Sequence, residues 1–313
     1  MKFGKSLVHP ELREALDKLD DSFIKPDNIE ESRQSTGGMA KFVQFDTVEI
    51  TNKYVPGLNG DPDVPIVIFS PVKKTQEQLL PGLLYIHGGG YCCGSAMEMS
   101  CQKYADKIDC VVVSVEYRRA PENIFPAALH DCYAALKWFY ENAGQMGVNK
   151  SRIGIVGASA GGGLTATLAL YARDQNGPPV CVHAPLCPML DNRSITESAK
   201  LYTDARVWDR DKNVNGWSAY LGNSEGEPSQ YAAAWFAADL SGLPPMYTYV
   251  GELDPLRDET IAYAARVAKA GVPVELHVYQ GCYHGCGLFA PDAPISKRIE
   301  LVTMEALRTA LWN

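Results

Sequence analysis

One short string constrains this chain more than any bulk property does: Gly157-Ala158-Ser159-Ala160-Gly161. It joins the apolar run Ile153-Gly154-Ile155-Val156 to a helix-like stretch of small residues from Gly163 to Leu170. A Gly-x-Ser-x-Gly string between a strand and a helix describes a nucleophile elbow, a sharp turn that lifts the serine hydroxyl off the sheet edge. Glycine two residues to either side lets neighbouring backbone pass close by. The following helix aims its unpaired N–H groups and positive dipole end at the same point. The string also arises by chance in glycine-rich chains, where it marks a plain turn with a buried serine, so its weight depends on what accompanies it.

Three further features accompany it. His87-Gly88-Gly89-Gly90 follows the apolar run Leu83-Leu84-Tyr85-Ile86. Consecutive glycines let successive amides face one small anion, and such donors supply a large term in acyl transfer. Gly88 and Gly89 are the donors expected from this loop, with Ala160 as the third. A Walker-type phosphate loop would need Gly-Lys-Ser/Thr at its end, and Gly90-Tyr91 supplies none. His87 reads as a structural histidine fixing the loop.

The second feature is an acid. Met246–Val250 reads as a strand leading through Glu252, Asp254-Pro255, Asp258 and Glu259 into a helix. Asp258 and Glu259 fall in the first helical turn, where acids serve caps and the dipole. Asp254, fixed by the proline after it, is favoured to orient a histidine, with Glu252 second. The third feature is a base. Val274–Tyr279 alternates as a strand with His277 on one face, and His284 sits in the glycine-bounded loop beyond it, placed as a general base would be. His9, His130 and His183 lie in or beside helical or apolar segments. Ser159, Asp254, His284 is the chain order of α/β-hydrolases.

With these residues the chain resembles the hormone-sensitive-lipase-like family of serine esterases over most of its length. The shared strings are His87-Gly88-Gly89-Gly90, Tyr117-Arg118-Arg119-Ala120-Pro121-Glu122, the serine elbow, Asp254-Pro255-Leu256-Arg257-Asp258-Glu259, and Ala270–Glu275 leading to His284-Gly285. The resemblance implies Ser159 as nucleophile, His284 as base, Asp254 as orienting acid, and an oxyanion hole of Gly88, Gly89 and Ala160. It also implies an α/β-hydrolase fold with a helical cap, carboxylic esters with short to medium acyl chains as substrates, and a homodimer through a sheet edge or the final helix. Three positions depart from the family pattern: Ala158 where an acid is usual, Cys286 where an aromatic is usual, and Arg119 where leucine is more common. None removes a group from the triad. A related bond (aryl amide, lactone, acetylated sugar) is the alternative within hydrolases, and a small-molecule receptor that has lost its chemistry is the alternative outside them.

Composition agrees with a soluble enzyme. A chain of 313 residues can bury a substantial core, and a net charge of −8 argues against nucleic acid or an anionic membrane as main partner. No apolar stretch approaches membrane-span length, the N-terminus shows no signal-peptide core, and nine cysteines point to reduced thiols in a cytoplasm. Neither a cofactor nor a metal site is expected, since Cys282, Cys286 and the Cys92-Cys93 pair lack partners at metal spacings. Cys286, two residues after His284, is expected to sensitise activity to oxidation or thiol reagents.

Along the chain, alternating apolar runs and helical segments imply a mostly parallel sheet with helices on both faces. Strands are expected near Val43–Thr51, Pro65–Ser70, Leu83–Ile86, Val111–Glu116 and Cys181–Leu186, and a helix near Pro126–Asn142. Leu12, Leu16, Leu19 and Phe23 share a helical face, read either as a helix packed on the domain or as part of a cap, and a polar stretch from Asp27 to Met39 breaks at Thr36-Gly37-Gly38. The interval before Pro245 is too long for a plain loop and carries Trp208, Trp217, Tyr220, Tyr231, Trp235 and Phe236, so it reads as a helical insertion. The expected division is residues 1–45 as an N-terminal cap segment, 46–189 as the first part of the core, 190–240 as a cap insertion and 241–313 as the second part of the core.

Overall fold

The computed structural model describes residues 4, 6–20, 29–37, 42–72, 78–222 and 226–313. Eight strands form one sheet: β1 (Val48–Val55), β2 (Val64–Pro71), β3 (Leu80–Ile86), β4 (Val111–Val115), β5 (Val148–Ala158), β6 (His183–Leu186), β7 (Met246–Gly251) and β8 (Val274–Tyr279). Their order is β1-β2-β4-β3-β5-β6-β7-β8. β2 runs antiparallel to both β1 and β4, and every other pairing is parallel. The helices are α1 (Arg13–Asp17), α2 (Ile29–Gly37), α3 (Met99–Tyr104), α4 (Ala127–Asn142), α5 (Ala160–Asp174), α6 (Glu197–Leu201), α7 (Arg210–Leu221), α8 (Arg257–Lys269), α9 (Cys286–Phe289) and α10 (Pro294–Trp312).

The central strands are apolar on both faces because helices cover both. In β3, buried along its whole length, Leu84 and Ile86 pack with Leu136 and Phe139 of α4 and Leu164 and Leu168 of α5. Leu83 and Tyr85 face the other way, onto Leu307 and Leu311 of α10. This period-two division of one unbroken apolar run is what a doubly covered parallel sheet requires.

Several expected boundaries shift. β1 starts at Val48, because the Gln102 side chain takes the backbone groups just before it: it accepts from Phe45 N at 2.8 Å and donates to Val43 O at 3.0 Å. β6 begins at His183 rather than Cys181. The polar stretch expected to break at Thr36-Gly37 contains α2, which runs through Gly37. Phe23, Asp27, Gly38 and Met39 lie outside the described residues.

The N-terminal segment packs on the body. Val8, Leu12 and Leu16 are buried with Leu253, Tyr283 and Cys286 around the His284 loop, and with Val207 of the 190–240 interval. His9 N donates to Gly281 O at 2.9 Å, and the Glu11 carboxylate accepts from Ile295 N at 2.7 Å at the start of α10. α2 joins in through Arg33, which donates to Cys92 O and Ala120 O and pairs with Glu122 at 2.8 Å. The 190–240 interval contains α6, α7 and a 3-10 turn at Ala234–Phe236. Leu12 is fully buried, so Leu12→Ala removes side-chain contacts and leaves a cavity. The variant is expected to lose about 2–5 kcal/mol in urea unfolding. A loss within about 0.5 kcal/mol would mean that the segment does not pack as described.

Candidate active site

β5 ends at Ala158 and α5 begins at Ala160, leaving Ser159 alone at the turn with φ 60° and ψ −119°. Non-glycine residues rarely adopt positive φ, and here the surroundings over-determine it. Ser159 N donates to Leu186 O at 2.9 Å, while its carbonyl accepts from Gly163 N at 2.9 Å and Met189 N at 3.1 Å. Gly161 must lack a side chain, because a Cβ there would overlap the carbonyl oxygens of Ile86 and His87.

His284, in the loop between β8 and α9, has Nε2 at 2.9 Å from Ser159 Oγ and Nδ1 at 2.7 Å from Asp254 Oδ2. Asp254, between β7 and α8, is 1 % exposed, and its other oxygen accepts from Leu256 N at 2.9 Å. The structure therefore brings Ser159, His284 and Asp254 into one hydrogen-bonded line. Glu252, the second acid weighed from sequence, instead accepts from Gly281 N at 2.8 Å and so ties down the start of the histidine loop. Asp258 accepts from Ser198 N at 2.8 Å at the α6 end and pairs with Arg257. His277 lies on β8 beside Glu275, and His183 is buried at the start of β6.

The His87–Gly90 loop lies against the elbow. A Cβ built on Gly88 would sit 3.5 Å from Ser159 Cβ and 2.9 Å from Ala158 O. Gly89 adopts φ 110° and its carbonyl accepts from Cys93 N at 2.9 Å, turning the loop. Ala160 opens α5, where first-turn amides have no partner within the helix. Gly88 thus lies against Ser159, which Ala160 follows directly in the chain, and Gly89 adjoins Gly88. His87 holds this loop: its Nδ1 lies 2.8 Å from Gly88 O, and its ring stacks on Tyr117 at 4.1 Å, with Tyr117 OH donating to His87 O at 3.1 Å. Burial pushes the imidazole down to about 4, which keeps it neutral. Arg119, the departure from leucine, donates to Gly94 O at 3.1 Å and braces the same loop.

Other contributions were not legible in the sequence. Ligand-type atoms of Cys187, Asp254 and His284 all lie within 4.8 Å of one another. Burial pushes the Cys187 thiol up, so it presents a protonated sulfur beside Asp254 and His284. Its signal is positional, since it follows the carboxyl end of β6, beside the strand that carries Ser159. Trp208 packs on the Cα of Gly90 and lies 6.0 Å from the His284 ring, bridging the glycine loop and the histidine. The other insertion aromatics serve packing: Tyr220 stacks on Tyr91 at 4.0 Å beside Trp217, Tyr231 meets Tyr171, and Trp235 and Phe236 carry Arg193. Cys286 corrects an expectation. It is buried, and a hydrogen bond with Cys282 together with burial pushes its thiol well up, so it is poorly placed to react with thiol reagents.

A protein-family model described as an alpha/beta hydrolase fold matches residues 83–288. Esterase LipI of Mycobacterium tuberculosis is 33% identical over 312 residues, covering 98% of this chain and 96% of that protein. Carboxylesterase NlhH of the same species is 34% identical over 321 residues, covering 97% and 96%. Among solved structures, a bacterial heroin esterase superposes with a TM-score of 0.93 at 39% identity, covering 98% of both chains. The chain belongs to the hormone-sensitive-lipase-like esterase family of α/β hydrolases. For this family member the neutral His87 has a measurable consequence. On unfolding, the ring regains its ordinary pKa of 6.5 and takes up a proton that the folded state refuses until about 4. The wild type therefore loses stability through this ring as pH falls from 6.5 towards 4, whereas His87→Gln does not. The stability advantage of wild type over His87→Gln should shrink by about 3 kcal/mol between pH 7 and pH 4, read from urea midpoints. An advantage independent of pH would contradict a buried neutral ring.

Proposed function

We propose that this carboxylic ester hydrolase works through Ser159 as nucleophile, His284 as general base and acid, Asp254 as orienting acid, and the amides of Gly88, Gly89 and Ala160 as oxyanion hole. The carboxylesterase function itself is supported by esterase relatives at 33–39% identity over nearly the full chain. The observation that carries the residue roles is the line from Ser159 Oγ through His284 to Asp254, at 2.9 and 2.7 Å. With Nδ1–H donated to Asp254, Nε2 of the neutral ring is free to accept the serine proton as Oγ adds to the ester carbonyl. The carbonyl oxygen becomes an anion, which these three backbone amides stabilise. His284 then protonates the departing alcohol, and water repeats the two steps on the acyl-serine.

The substrate reading is short- to medium-chain acyl esters, resting on the family resemblance. Aryl amides, lactones and acetylated sugars present a similar carbonyl to the same groups, and they are the alternatives to test beside it. The N-terminal segment and residues 190–240 act as a cap over Ser159; contacts from Arg33, Leu12 and Trp208 to the site loops support this. Among the described residues no helix is long and apolar enough to cross a membrane. A cytoplasmic location fits nine free cysteines. By resemblance, a homodimer would use the edge strand β8 or α10.

Ser159→Ala and His284→Ala are expected to lower turnover of p-nitrophenyl butyrate by about a millionfold, and Asp254→Asn by about ten-thousandfold. Near-wild-type turnover by Ser159→Ala would place the nucleophile elsewhere. Across p-nitrophenyl acetate to decanoate, kcat/KM is expected to peak at short to medium chains. A maximum at decanoate would overturn that part of the reading.

A further inference from the structure

Glu259 lies in the first turn of α8 yet is fully buried. Its Oε1 accepts from Leu190 N at 2.7 Å and from Asp191 N at 3.2 Å. Its Oε2 has no hydrogen-bond partner among the described residues. Burial pushes this carboxyl well above the usual range, against the opposing pull of the two amides. A carboxyl in this setting is costly to bury, and the two buried amides that donate to it would lose their acceptor if an apolar side chain replaced it.

What the carboxyl grips is the segment that leaves β6 and passes behind the elbow. One residue before Leu190, Met189 N donates to the Ser159 carbonyl at 3.1 Å. Two residues earlier, the Cys187 sulfur lies beside Asp254 and His284. Asp254 itself lies three residues before the start of α8, the helix that carries Glu259. The β7–α8 connection and the first turn of α8 thus present the acid that meets His284 and the acid that grips the segment behind Ser159.

We propose that Glu259 is a positioning residue: by holding the Leu190 and Asp191 amides it keeps Met189 N on the Ser159 carbonyl, and so keeps Oγ in line with His284 Nε2. This rests on the reading of Ser159 as nucleophile. Because Glu259 touches no substrate, its loss acts on the chemical step and not on ester binding. The role belongs to the acceptor oxygen rather than the charge, so an amide replaces the carboxyl.

The test compares Glu259→Gln, Glu259→Leu and Glu259→Asp with wild type for kcat and KM on p-nitrophenyl butyrate, rate of phosphonate labelling, and circular dichroism. Glu259→Gln keeps the acceptor and is expected to hold kcat within about threefold. Glu259→Leu fills the volume without an acceptor and is expected to lose about a hundredfold in kcat, with KM within about threefold and labelling slowed in parallel. Glu259→Asp withdraws the acceptor by one methylene and decides the matter if the leucine variant does not fold; a loss of about tenfold or more in kcat is expected. A folded Leu or Asp variant with wild-type kcat, or a Gln variant as impaired as the worst of the others, overturns the proposal. Wild-type labelling at a residue other than Ser159 would instead overturn the reading beneath it.

Discussion

The backbone at Ser159 is held in a conformation that costs on the order of 1–3 kcal/mol, and the rest of the site is arranged around sustaining it. The turn survives because its polar backbone groups are engaged: the N–H by Leu186, the carbonyl by both Gly163 and Met189. It also survives because α5 can press against the end of β3, where Gly161 meets the Ile86 and His87 carbonyls. The return is geometric. A serine on an ordinary helix or strand would point along a crowded face, whereas here its hydroxyl stands at the sheet edge within reach of His284.

The site gathers at one edge because parallel strands all end there. β3, β5, β6, β7 and β8 deliver in turn the glycine loop, Ser159, Cys187, Asp254 and His284 beyond their carboxyl ends, the general location of ligand sites in open α/β sheets. The antiparallel strands β1 and β2 extend the sheet away from this point. Loops so placed need bracing from elsewhere. Arg33 reaches the glycine-loop side, the Leu12 cluster underlies the histidine loop, and Trp208 spans both. Segments remote from Ser159 in the chain therefore brace the loops around the elbow.

Sequence reading succeeded where the cause was local. The elbow, the glycine loop and the doubly apolar β3 each announce themselves within a few residues, because steric demand and period-two burial act at short range. Choosing between Asp254 and Glu252 was harder, since both sit at the end of β7; what separates them is a contact with Gly281, nearly thirty residues away. Cys187, Met189, Glu259 and Trp208 act through contacts between remote segments, and nothing in their neighbouring residues encodes that. The same holds for the start of β1, set by the Gln102 side chain, and for Cys286, whose proximity to His284 in sequence gave no hint of its burial.

The most direct test is to label the purified protein with a fluorophosphonate, digest it, and locate the adduct by mass spectrometry, with loss of ester turnover followed in the same sample. One adduct per chain, on Ser159, with turnover falling in proportion, is the result this account predicts. An adduct on another residue, or full turnover after Ser159 is modified, would contradict it.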